Sequence, residues 1–326
     1  MVVSAALSSC LSNTGTAECL MPVVLGICAA AKIPASRQLM PLAYAAGIGG
    51  VITMVGTPPN IIVSGVLTSF GYESFSFFEF AWIGIPLTFV VIAYMMFIGK
   101  YLLPKAELDA DQEIEQEIEA TVTDSKKQIV SGLILAVCII VMALDLKAIS
   151  LEMTAIVGAL VCVLTGCLTE KQAYSAIDWV TIFLFAGMMP VSAAMDKTGA
   201  GKLIAEWAVS LMGGSPTPII MTSVLFIISC TLTQFMSNTA ACALLAPVGV
   251  AISQQLGASP KAVLMAIGVA ASCAFATPVG TPPCTLVLGP GGYKFMDYVK
   301  VGVPLVVLCF IVSIIVIPMV WPFFPG

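Results

Sequence analysis

Apolar residues run through this chain in long stretches, broken by short polar or Pro/Gly interruptions, and that spacing predicts helices of membrane-spanning length. Residues 1–11 form an apolar half-segment and 14–30 a second, ended by Pro34. Residues 36–56 read as a spanning helix that breaks at Gly56-Thr57-Pro58-Pro59 and continues to about Phe70. A polar-aromatic loop and a span at 80–103 follow, then an acidic, solvated stretch. Further spans are expected at 128–145, 151–168 and 179–195, while 200–212 is too short to cross and is expected along the interface. Two apolar limbs, 217–236 and 239–256, precede a broken helix at 260–288 and a last span at 298–321.

The interruptions repeat. Ser12-Asn13-Thr14 recurs 225 positions later as Ser237-Asn238-Thr239. Gly56-Thr57-Pro58-Pro59-Asn60 recurs as Gly280-Thr281-Pro282-Pro283-Cys284, after nearly equal spacings of 44 and 43 residues. Pro22 falls opposite Pro247 and Arg37 opposite Lys261, and Phe77-Phe78-Glu79-Phe80 with Gly84 and Pro86 matches Phe295-Met296-Asp297-Tyr298 with Gly302 and Pro304. Matching at this level reads as an internal duplication.

If each Ser-Asn-Thr marks the tip of a re-entrant hairpin, five crossings separate the two tips. Five is odd, so the second copy enters from the opposite face, giving an inverted repeat. The fold expected is thus an all-α polytopic membrane protein with two re-entrant hairpins and broken helices. Four parts are expected: a first-repeat half (1–104), an acidic cytoplasmic linker (105–127), the helices ahead of the second hairpin (128–214) and a second-repeat half (215–326). With the linker in the cytoplasm, Lys32, Arg37, Lys100, Lys105, Lys126, Lys127, Lys171, Lys294 and Lys300 lie inside, and Lys147, Lys197, Lys202 and Lys261 outside, which obeys the positive-inside rule.

Composition narrows the chemistry. At 59% apolar and 10% charged residues, with mean hydropathy +1.05, this is a membrane protein. It has no histidine, which removes the commonest general base and any Ser-His or Cys-His dyad. With no Gly-x-Ser-x-Gly and no aspartyl pair either, an enzyme has little to build on, and none is expected. The eleven cysteines stand singly in apolar runs and read as small buried hydrophobes. The net charge of −5 says little about partners, because 8 of the 18 acids cluster between Glu107 and Asp124.

Non-helical backbone inside hydrocarbon is tolerated only where protein buries it or a polar cavity receives it. At each hairpin tip the ending helix offers carbonyl oxygens to a cation and the starting helix offers N–H groups to an anion. Ser8 before Ser12, and Thr233 before Ser237, add a hydroxyl on the same face one turn earlier. A Na⁺ site of hydroxyl, amide and carbonyl oxygens can be assembled from these parts without a carboxylate. Glu18, four residues after Thr14 and opposite Ala243, is the one candidate coupling carboxylate inside a limb. Asp145, Glu152, Glu170 and Asp178 fall at span ends and read as solvated.

The paired Ser-Asn-Thr signatures resemble the divalent anion–sodium symporter (DASS) family of the ion transporter superfamily. Asp178-Trp179, Phe183-Leu184-Phe185-Ala186-Gly187-Met188 and Lys197-Thr198-Gly199 are similar to that family's region before its second hairpin. The resemblance implies a homodimer joined by fixed scaffold helices, with a transport domain moving as an elevator. It implies that Ser12, Asn13, Thr14 and Thr57, with Ser237, Asn238, Thr239 and Thr281, face a small anionic substrate, a di- or tricarboxylate before sulfate. One sodium site would use Ser8, Asn13 and Gly56, and its mirror Thr233, Asn238 and Gly280. Na⁺ is then the coupling ion, with no organic cofactor and no nucleic acid, in a bacterial-type inner membrane. A proton-coupled transporter or exchanger using Glu18 is the first alternative, and a passive channel is a remote one. Cys284 departs from the Asn seen at Asn60. By the resemblance, the chain begins inside its first hairpin, without the first scaffold helices, so the 1–14 limb is expected to be poorly held and transport by this chain alone is open.

Overall fold

The computed structural model describes residues 1–104, 125–144, 150–177, 179–211 and 217–324. Most of the acidic linker, with Asp145 and Asp178, lies outside these residues. The described residues are helical, with no strand among them. The first half holds α1 (Val2–Ser8), α2 (Asn13–Ala31), α3 (Leu39–Gly49), α4 (Pro58–Ser69) and α5 (Ala81–Tyr94), which continues through a π-helical turn to Leu102. Next come α6 (Ser125–Ala143), α7 (Leu151–Leu164), α8 (Glu170–Ser175), α9 (Trp179–Thr198) and α10 (Ala200–Leu211). The second half holds α11 (Pro218–Thr233), α12 (Asn238–Leu256), α13 (Pro260–Ala271), α14 (Pro282–Leu288) and α15 (Phe295–Val320). Among the described residues five helices, α2, α5, α6, α12 and α15, are long and apolar enough to cross a membrane.

Two helices form the centre. Every residue of α3 is buried, and so is α13 from Ala262 onward. A helix that is apolar all round must be covered on all sides, and the small residues Ala43, Ala46, Gly47, Ala266, Gly268 and Ala270 let several neighbours come close. Around each axis the packing repeats. The hairpin limbs α1 and α2 pack on α3 as α11 and α12 pack on α13, and α5 packs on α3 as α15 does on α13. The short helices past the breaks are exchanged: α4 lies on α12 and α13, while α14 lies on α2 and α3.

Polar stitches join the halves where apolar packing alone would allow sliding. Tyr44 donates to the Phe275 carbonyl at 2.7 Å, Tyr94 to Val301 at 2.7 Å, and Tyr293 to Ser36 at 2.6 Å. Lys261 pairs with Glu79 at 3.1 Å, and Trp321 donates to the same carboxylate at 2.9 Å. The pair is mostly buried, so its value lies in register more than in net stability.

Two boundaries differ from the sequence reading. The helix expected over 36–56 ends at Gly49, passes through a 3-10 turn over Gly50–Ile52 and is extended at Thr53, so the first break opens six residues before Gly56. α6 starts at Ser125, which takes the end of the expected linker into a helix. α10 packs on α9 and α12. The expectation that the 1–14 limb is poorly held is overturned. Ser4 donates to the Leu42 carbonyl at 3.2 Å, as Ser229 does to Ile267 at 2.9 Å, and the Ala5 backbone lies directly on Gly49. Local contacts with α3 hold the limb.

Candidate functional site

Each Ser-Asn-Thr sits where one helix ends and the next begins. Ser12 (φ −64°, ψ 147°) and Ser237 (φ −62°, ψ 147°) are extended N-caps. Their hydroxyls accept from the N–H of Gly15 at 3.1 Å and of Ala240 at 3.2 Å. Thr57 (φ −142°, ψ 140°) and Thr281 (φ −142°, ψ 137°) cap α4 and α14, with a proline at each N1 position. Four helix N-termini therefore carry the two motifs. Ser12 and Ser237 are exposed, and Thr14 and Thr239 are half-buried. Thr57 and Thr281 are buried, and the Thr57 hydroxyl has no hydrogen-bond partner. Cys242, one turn past Asn238, meets the Pro59 carbonyl at 3.5 Å, which sets the start of α4 against the start of α12.

The asparagines turn inward, away from the serines. Around Asn13, Ser8 Oγ lies 2.7 Å from the Asn13 amide oxygen and 2.6 Å from the Ala46 carbonyl, and Asn13 Nδ2 donates to the Gly47 carbonyl at 3.3 Å. Gly50 brings its Cα against the Asn13 amide oxygen and the Gly56 carbonyl, so that a methyl there would come 2.7 Å from the latter. Only a residue without Cβ allows this approach. Ser8, Asn13 and Gly56 thus converge, and the carbonyls of Ala46 and Gly47 join them.

The second cage copies the first. Thr233 Oγ1 lies 2.7 Å from the Asn238 side-chain amide and 2.7 Å from the Ala271 carbonyl. The amide end of Asn238 that faces inward stands 2.9 Å from the Gly280 carbonyl, 2.7 Å from Thr233 Oγ1 and 3.2 Å from the Ala271 carbonyl. Thr233, Asn238 and Gly280 converge as their counterparts do.

Each cage is rich in oxygen and poor in protons. A hydroxyl has one proton, yet Ser8 Oγ and Thr233 Oγ1 each stand within hydrogen-bond distance of two groups. With its amide nitrogen turned inward, Asn238 satisfies the surrounding oxygens. With its oxygen inward, the amide, the Thr233 hydroxyl and the carbonyls all turn oxygen atoms toward the centre, a set that suits a hard monovalent cation. The C-terminal, negative ends of α1 and α3 point at one cage, and those of α11 and α13 at the other. Neutral hydroxyl, amide and carbonyl groups fit Na⁺ in this way.

Glu18 stands elsewhere, exposed on α2, and neither cage includes it. Glu152 and Glu170 are exposed in the first turns of α7 and α8, where the helix N-terminus favours a carboxylate. Sequence reasoning missed the Ala46, Gly47 and Ala271 carbonyls and Gly50. The glycines of Ala46-Gly47-Ile48-Gly49-Gly50, next to a break, were the available signal.

The chain matches the CitMHS family, citrate transporter, over residues 1–148 and 139–324. An uncharacterized transporter of Haemophilus influenzae is 33% identical over 329 residues, covering 95% of this chain and 69% of the relative. One from Methanocaldococcus jannaschii is 29% identical over 310 residues, covering 93% and 68%. The sodium-dependent dicarboxylate transporter SdcS of Staphylococcus aureus is 26% identical over 361 residues, covering all of this chain and 69% of its own length.

Proposed function

This chain belongs to the CitMHS citrate transporter family, and on that footing we propose that it works as a Na⁺-coupled symporter of small dianions. The chain is an integral protein of a bacterial-type inner membrane. The observation that carries the sodium reading is the pair of neutral cages lined by hydroxyl, amide and carbonyl groups at Asn13 and Asn238. The name of the S. aureus relative supports the same coupling and a dicarboxylate substrate. Each hairpin tip shows two faces: the Asn closes a cation cage, while Ser12, Thr14, Ser237 and Thr239, with the helix N-termini beneath them, offer donors to an anion. Thr57 and Thr281, the buried N-caps of α4 and α14, complete the set. No charged side chain is present among these groups, so the dianion's charge is balanced by the ions that travel with it.

Glu18 lies outside both cages, which supports sodium over a proton carried on that carboxylate. The exchange of α4 and α14 between halves supports treating both halves as one moving transport domain, related by an inverted repeat. The outward apolar faces of α6 (Leu133, Val137, Ile140) and α7 (Ile156, Val157, Leu160) are where a fixed scaffold and its homodimer contact would form. A di- or tricarboxylate is favoured over sulfate by the family and by the relative's name. The test is competition for uptake of labelled succinate by the full-length protein in liposomes. Excess succinate or citrate is expected to suppress uptake more strongly than excess sulfate. Suppression by sulfate alone would replace the substrate class.

A further inference from the structure

The two repeats solve one problem differently. Each break leaves carbonyl groups without helical partners inside the protein, where an unmade hydrogen bond is costly. In the first repeat the partner comes from α4. Asn60, fully buried, directs Nδ2 at the carbonyls of Gly50, Val51 and Thr53, at 3.4, 3.5 and 2.8 Å. The matching position in α14 is Cys284, also fully buried, whose thiol is a poor substitute for an amide.

In the second repeat the partner comes from the hairpin. Gln234, 9% exposed, sends Nε2 to the carbonyls of Cys230 at 3.0 Å and Cys273 at 3.1 Å, and its Oε1 accepts from the Ala276 N–H at 2.9 Å. Its position in the first repeat is held by Ser9, whose hydroxyl bonds within its own stretch of chain, to the Ala6 carbonyl and Cys10 Sγ. One contact is common to both repeats: Thr53 donates to the Ser9 carbonyl, and Thr277 to the Gln234 carbonyl. Thr277 Oγ1 in turn accepts from the Gly280 N–H at 3.3 Å.

Gln234 follows Thr233 in the chain, and Gly280 supplies a carbonyl to the second cage. One side chain therefore ties the hairpin limb, the end of α13 and the break together, on either side of Thr233 and Asn238. We propose that Gln234 is the positioning residue of the second cation cage, and that it does there what Asn60 does from α4 in the first. The two cages are then chemically alike but held differently. The first is set by a helix beyond the break, the second by the hairpin itself. Opening the second hairpin must break the Gln234 bonds, whereas opening the first leaves the Asn60 bonds intact. The second cage is accordingly the one whose cation affinity follows hairpin position.

This inference rests on reading the cages as sodium sites, and its test keeps the two apart. The repeat itself supplies the substitutions: Gln234→Ser installs the first repeat's residue, and Cys284→Asn installs the first repeat's alternative support. Thermal unfolding of the full-length protein is followed across a Na⁺ titration, with choline replacing Na⁺. A purely structural role would lower the midpoint equally in both salts. The expected result is a sodium-specific loss: Gln234→Ser needs about tenfold more Na⁺ for the same stabilisation, the scale of one buried hydrogen bond. Cys284→Asn is expected to be near neutral alone and to recover most of the loss in the double variant. An unchanged Na⁺ titration in Gln234→Ser, or no recovery in the double variant, would overturn the positioning role and leave the sodium reading standing. A wild-type protein that Na⁺ does not stabilise would overturn both.

Discussion

Asn238→Ala is expected to reduce uptake by well over tenfold. The substitution removes the one side-chain group that closes the second cage and leaves Thr233 Oγ1 with the carbonyls of Ala271 and Gly280. Losing a hydrogen bond or ligand contact to a charged group costs about 1.5–3 kcal/mol, and every 1.4 kcal/mol or so is a factor of ten. The helix cap is untouched, because the Ser237 hydroxyl and not the Asn238 amide binds the Ala240 N–H. The fold should therefore survive while cation binding does not. Uptake measured against Na⁺ concentration checks this, and a near-normal Na⁺ dependence would remove the second cage from the account.

Gly50→Ala is expected to do comparable damage at the first cage. An added methyl would press on the Asn13 amide oxygen and come 2.7 Å from the Gly56 carbonyl, both fixed by buried structure. Overpacking of this kind costs about 1–3 kcal/mol, and here the space lost is where the cation's oxygens converge. Gly132→Ala on α6, where a methyl meets nothing within 4 Å, is the matched control. Loss of Na⁺-dependent uptake in Gly50→Ala with a normal control supports the first cage. Normal uptake in both would mean that the Asn13 oxygens do not hold the ion.

Much of the architecture was legible because the duplication repeats its punctuation. Two Ser-Asn-Thr motifs and two Thr-Pro-Pro breaks fix where helices begin, since caps and N1 prolines act locally, whereas the matched Pro22, Pro247, Pro86 and Pro304 lie inside helices. The inward turn of Asn13 and Asn238 also follows from spacing, because the hydroxyls at Ser8 and Thr233 stand at equal distances before them. The onset of the first break was not legible. Gly49 and Gly50 are compatible with helix, and the groups that press on them there, the Ala5 backbone and the Asn13 amide, come from the hairpin. That is a tertiary contact. The exchange of α4 and α14 and the fate of the 1–14 limb were hidden for the same reason.

Residue identity alone also misjudged where compensation would come from. Cys284 looked like a weakened copy of Asn60, yet the carbonyls of the second break, Cys273 and Phe275, take their donors from Gln234 and Tyr44, neither of which belongs to the repeated motif. Arg37 and Lys261 looked equivalent, yet Lys261 is drawn into a partly buried pair with Glu79 from the other repeat. Side chains that stitch across the interface have no period to betray them.

The most direct test of the central claim is uptake of labelled succinate by the full-length protein in liposomes, with an inward Na⁺ gradient in one arm and choline with an inward proton gradient in the other. The account expects concentrative uptake in the first arm and none above background in the second. Equal uptake in choline, driven by protons and lost in Glu18→Gln, would contradict it.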